Sequence, residues 1–175
     1  MKILFITLYL PCLILISHFS FSQAPLVKQW DYQFGGSGDE WLYDLQRTTG
    51  DGFILIGSSA SGISGDKTQP SWGDADYWLV KIDSFGNKEW DKRFGGLSDD
   101  WLKSANQTAD GGYILGGFSH SDVSGDKTQP SWGGFDYWIL KIDSLGNYQW
   151  DKRFGGVSDD LLYYAQQTKD GGYII

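Results

Sequence analysis

WDYQFGG, WDKRFGG and WDKRFGG begin at Trp30, Trp90 and Trp150, a spacing of 60 residues that recurs without insertion or deletion. The other landmarks keep the same register. DGFILIG from Asp51 aligns with GGYILGG from Gly111 and GGYII from Gly171, and DYWLVKIDSFGN from Asp76 with DYWILKIDSLGN from Asp136. About 34 of the 60 positions agree between the first two copies. A period of this length means one supersecondary unit that buries its apolar faces by stacking on copies of itself.

Within a unit the pattern gives four short strands. Trp41 to Gln46 and Phe53 to Ser58 flank the Gly-rich hairpin turn TTGDG. Asp76 to Ile82 and Lys88 to Phe94 flank DSFGN, where Gly86 and Asn87 are the residues able to take a positive φ. A long polar connection from about Ser59 to Ala75 joins the two hairpins. An all-β fold follows. Four-stranded antiparallel sheets stacked around an axis form a β-propeller, and a solenoid of β-coils is the structural alternative, although its repeats are usually about 20 to 30 residues. Trp78, Trp90, Trp138 and Trp150 are expected in the core or packed against a neighbouring blade.

WDKRFGGLSDDWLKSANQTADGGYILGGFS resembles the SBBP-type β-propeller repeat of bacterial exported proteins, in which a Trp-led strand, GG, an acidic pair, a DGG-like turn and a small-residue strand follow one another. The resemblance runs from Trp30 to Ile175. It implies the propeller fold and relatives with a C-terminal sorting or anchoring domain, and it specifies little about activity. KIDSFGNKEW is also similar to the turn and docking Trp of quinone-type propeller repeats, but the spacing differs and the unit is longer. No cofactor is expected.

Residues 1–23, with Lys2 followed by an apolar run from Ile3 to Ile16 and the small-x-small pair Ser20 and Ser22, read as a secretory signal peptide. The run is shorter than a bilayer span, and no transmembrane segment is expected in the mature chain. The expected division of residues 24–175 is a leading strand at 28–36, blades at 41–94 and 101–154, and a partial blade at 161–175, with further blades supplied in cis by sequence beyond a fragment. Cys12 lies inside the signal, so the mature chain has no thiol for a disulfide or a nucleophile. The formal net charge of -8 opposes nucleic acid and anionic membranes as partners.

SGDKTQPSWG occurs unchanged at 64–73 and 124–133. Strand parity puts this loop on the same face as the GGxxDD links, with the tight turns on the opposite face. Two readings of the decapeptide stand side by side. In one, Ser64, Asp66 and Pro70 pin the loop and Trp72 folds down as a lid. In the other, Trp72 and Trp132 are stacking platforms for a sugar or a protein surface, with Asp66, Lys67, Gln69, Asp126, Lys127 and Gln129 supplying hydrogen bonds. Repetition would then add avidity.

The acidic pairs make Asp39 with Glu40, Asp99, Asp100, Asp159 and Asp160 weak calcium candidates, since hard oxygen ligands suit that ion, but no EF-hand loop pattern is present. Catalytic constellations are sparse. His18 leaves with the signal, and His120 corresponds to Ala60 in the preceding unit, so no histidine recurs between units. The expectation is an exported or cell-surface, non-enzymatic binding module for a polysaccharide or a surface protein. The alternative is a propeller enzyme, a hydrolase or lyase, using paired carboxylates on polysaccharide.

Overall fold

A computed structural model describes residue 28 and residues 30–175 of the chain. The proposed signal peptide lies outside the described residues. Eight strands form two antiparallel four-stranded sheets in meander order. The first sheet holds β1 (Glu40–Arg47), β2 (Phe53–Ser59), β3 (Asp76–Ile82) and β4 (Lys88–Phe94). The second holds β5 (Asp100–Gln107), β6 (Tyr113–Ser119), β7 (Asp136–Ile142) and β8 (Tyr148–Phe154). A two-stranded piece, β9 (Gln166–Gln167) with β10 (Tyr173–Ile174), opens a third unit. No helix occurs among the described residues.

The central strands are apolar on both sides because both sheet faces are wanted. Alternation along β2 and β3 puts Ile54, Ile56, Tyr77 and Leu79 on one face, where they meet Leu102, Ala105, Tyr113, Leu115, Trp138 and Leu140 of the second sheet in one buried cluster. Polar bonds fix that interface: the Tyr77 hydroxyl donates to the Trp138 carbonyl (3.0 Å), and Leu102 N–H donates to the Ser58 hydroxyl (3.0 Å). The next interface repeats the arrangement, with Ile114 and Ile139 against Leu162 and Ala165. Trp90 packs edge-on against Tyr113 (6.3 Å between centroids), as Trp150 does against Tyr173 (5.4 Å).

The other face of the first sheet, with Trp78, Val80 and Ile82, is covered by the leading segment through Phe34. Trp30 stands against Phe53 at 6.4 Å, the same relation Trp90 has to Tyr113. The segment 28–36, expected as a strand, forms no ladder among the described residues. The DSFGN turn also differs from expectation. Gly86 takes a positive φ (88°) but Asn87 does not, because its N–H and side-chain amide bond the Asp83 carboxylate instead.

Candidate functional site

The GG links and the decapeptide loops lie together at one end of the sheets, joined by hydrogen bonds. Gly38 N–H donates to the Ser61 hydroxyl, Ser37 N–H to the Ser64 hydroxyl and Asp66 N–H to the Gly35 carbonyl. Ser98, Leu97 and Gly95 repeat these contacts with Ser121, Ser124 and Asp126.

Nearly every polar group of the decapeptide is engaged inside the protein. Ser64 and Lys67 close a tight bridge through their backbones. Thr68 donates its N–H (2.9 Å) and hydroxyl (2.8 Å) to Asp91, which also accepts from the Trp78 indole (3.2 Å). Burial alone would raise the Asp91 carboxyl, but these donors hold it below its ordinary value. Gln69 accepts from Arg93 N–H (2.7 Å), and Gln129 from Arg153 N–H (2.8 Å). Lys67 and Lys127 are buried. The Lys67 ammonium bonds the Ser61 carbonyl and the Ser71 hydroxyl, the Lys127 ammonium bonds the Gln129 carbonyl, and burial lowers both pKa values.

The two indoles differ from the rest of the loop. Trp72 is 49% exposed and Trp132 61% exposed. Each lies against a guanidinium, Arg93 at 4.9 Å and Arg153 at 3.5 Å from the ring centroid. Arg93 is clamped by Asp126 of the following decapeptide (2.8 Å), and Gly125 of that loop has no side chain where Trp72 approaches. Trp72 is therefore supported from two successive units while about half of it stays exposed to solvent.

Of the acidic pairs, the second member turns inward. Asp100 is fully buried and accepts from Gly96 N–H (2.6 Å) and the Ser121 hydroxyl (2.9 Å), while Glu40 accepts from Ser59 and Ser61. Asp160 accepts from Gly156 N–H (2.7 Å). Asp39, Asp99 and Asp159 stay nearer the surface, and Asp39 and Asp99 give their carbonyls to Ala60 and His120 N–H. Among the described residues no three acidic, histidine or cysteine side chains converge as metal ligands.

Sequence reasoning missed Asp76 and Asp136. Both are fully buried, accept the Trp72 and Trp132 N–H groups (2.6 and 2.8 Å), and leave one carboxylate oxygen without a partner. Gly95 is required between Asp76 and Asp100, since a Cβ there would overlap the Asp76 carboxylate. Burial, then the neighbouring Asp100 charge, outweigh the Trp72 bond and push Asp76 up to about 7. Burial pushes Asp100 up to about 6. Both are sealed from solvent, so neither can reach a substrate. The only sequence signal for Asp76 and Asp136 was their position at the start of an otherwise apolar strand.

A second feature at the same end of the sheets was also missed. Tyr43, Trp101, Lys103, Phe118, Phe135 and Leu161, with Asp159 at the rim, line an open groove of about 340 Å³. Compared with models of protein families and with curated proteins, the sequence matches none.

Proposed function

We propose that the chain is part of an exported β-propeller that binds a polysaccharide or a cell-surface protein and carries out no chemistry on it. The observation that carries the reading is the pair of half-exposed indoles, Trp72 and Trp132, at equivalent places on one face. The loop's other polar groups serve as its frame, and the guanidiniums hold each ring in place while about half of each indole stays exposed. Flat, rigid, repeated aromatic surfaces suit a ligand that itself repeats. The propeller reading is supported by the recurrence of one sheet-to-sheet interface in successive units. It is supported too by the leading segment, which stands against the first sheet as β4 stands against the second. Further units in cis would complete the ring.

The test is retention on immobilised cell-surface glycans and surface proteins by the wild-type chain and by a Trp72→Ala, Trp132→Ala double variant. Loss of retention with an unchanged melting temperature supports the proposal. Equal retention rejects the indoles as the contact surface, and product release by the wild type would favour an enzyme.

A further inference from the structure

We infer that the groove between the second sheet and the third unit is a saccharide subsite for a neutral hexose chain. The inference rests on the binding-module reading but uses residues other than the decapeptide indoles. Its construction begins at β-bulges on the edge strands. The ladder of β1 with β2 shifts between Leu42 and Asp44, and that of β5 with β6 between Leu102 and Ser104. A bulge re-aims the extra residue, so Tyr43 and Lys103 leave the ladder while Leu102 and Ser104 stay buried. Trp41 and Trp101 then meet edge to face at 4.8 Å and tie the two first strands together.

The opposite wall is where the units diverge. Phe118, His120 and Phe135 occupy the places of Ser58, Ala60 and Ala75 in the preceding unit, on either side of an unchanged decapeptide. All three meet: Phe118 and Phe135 lie 5.2 Å apart, and His120 lies 5.4 Å from Phe135. Three substitutions dispersed in sequence thus build one continuous aromatic wall, which a loop under framework constraint alone does not require.

The polar groups indicate what the wall receives. The Lys103 ammonium stands 3.3 Å from the Tyr43 centroid and 5.1 Å from that of Phe118, and it makes no hydrogen bond or ion pair among the described residues. Burial lowers its pKa. Across the groove Asp159 is exposed, with one oxygen held by Phe135 N–H (2.9 Å). An unspent donor and an acceptor beside aromatic faces match a sugar ring, whose C–H groups carry the partial positive charge that the negative face of an aromatic attracts. The net charge of -8 repels a polyanion, and the Lys103 ammonium among the ring faces repels a cationic chain, so a neutral chain is the occupant that meets neither repulsion. The groove volume lies within the span of small-ligand sites.

The experiment is isothermal titration of the 175-residue chain with neutral β-1,4- and β-1,3-linked glucose hexaoses, with hexagalacturonate and an acidic peptide as controls. Phe135→Ala restores the residue of the preceding unit, and Lys103→Met keeps the stem while removing the charge. The wild type is expected to bind a neutral hexaose, and each variant to weaken it about tenfold, Lys103→Met by loss of one charge-assisted contact and Phe135→Ala by loss of a stacking face. Lys103→Met should leave the melting temperature unchanged, which separates a lost contact from a lost fold, and the Trp72→Ala, Trp132→Ala variant should bind within about twofold of wild type. Absence of wild-type binding to both hexaoses overturns the inference, as does equal binding of the acidic peptide. Binding lost only in the Trp72 and Trp132 variant would also overturn it, while leaving the binding-module reading in place.

Discussion

Leu42 and Leu102 hold the same position in successive units, yet Leu102 is fully buried against the first sheet and Leu42 is 62% exposed. Replacing each with Ala in the 175-residue chain therefore measures the sheet-to-sheet interface directly. Leu102→Ala removes buried methyl groups and opens a void between Ile54, Ile56 and Leu115, which packing and hydrogen bonds on both sheets keep from collapsing. The expected cost is about 3 kcal/mol. Leu42→Ala removes a side chain with under half its area covered, and the expected cost is below about 1 kcal/mol. Urea unfolding followed by tryptophan emission reads both. With a slope of about 2 kcal/mol/M, the midpoint should fall by about 1.5 M for Leu102→Ala and by under about 0.5 M for Leu42→Ala. Equal shifts would refute the stacking of one sheet on the next as the source of the difference.

The buried pair Asp76 and Asp100 predicts the pH dependence. Unfolded, both ionise near the ordinary aspartate value of about 4, whereas in the fold they keep their protons until about 7 and about 6. Between those limits the folded state binds more protons, so stability falls as pH rises from about 4 to about 7. Thermal melting should give a higher midpoint at pH 5 than at pH 8, and Asp76→Asn should flatten the difference; a higher midpoint at pH 8 would contradict the assignment. Asp91→Asn places an amide among donors from Thr68, Trp78 and Lys88 and should cost about 2 to 4 kcal/mol by urea unfolding. A cost below about 0.5 kcal/mol would show that the loop is not anchored there.

Much of the fold was legible because strands announce themselves locally. β3 and β4 coincide with their expected bounds, and β1 and β2 extend theirs by a residue at one or both ends. The repeat transferred that reading to the second sheet without new argument. The candidate surface was legible only in part. Lys67, Gln69 and Asp126 read as available hydrogen-bonding groups, since nothing local distinguishes a lysine that reaches solvent from one that reaches a carbonyl six residues back. The identity of the two decapeptides has a framework explanation: Thr68 and Gln69 meet Asp91 and Arg93, and Thr128 and Gln129 meet Asp151 and Arg153 in the same way one period on.

The sequence by itself determined the repeat, the four strands of each unit, the shared end of loops and links, and the burial of Trp78 and Trp138. These follow from periodicity, turn chemistry and strand parity, which are properties of neighbouring residues. Only the tertiary structure decided that Asp76 and Asp100 face each other across a glycine, that Arg93 braces Trp72 from beneath, and that Phe118, His120 and Phe135 form one wall. Those relations join residues from different strands and different units. They exist only once apolar faces have stacked and edge-strand bulges have set where each side chain points.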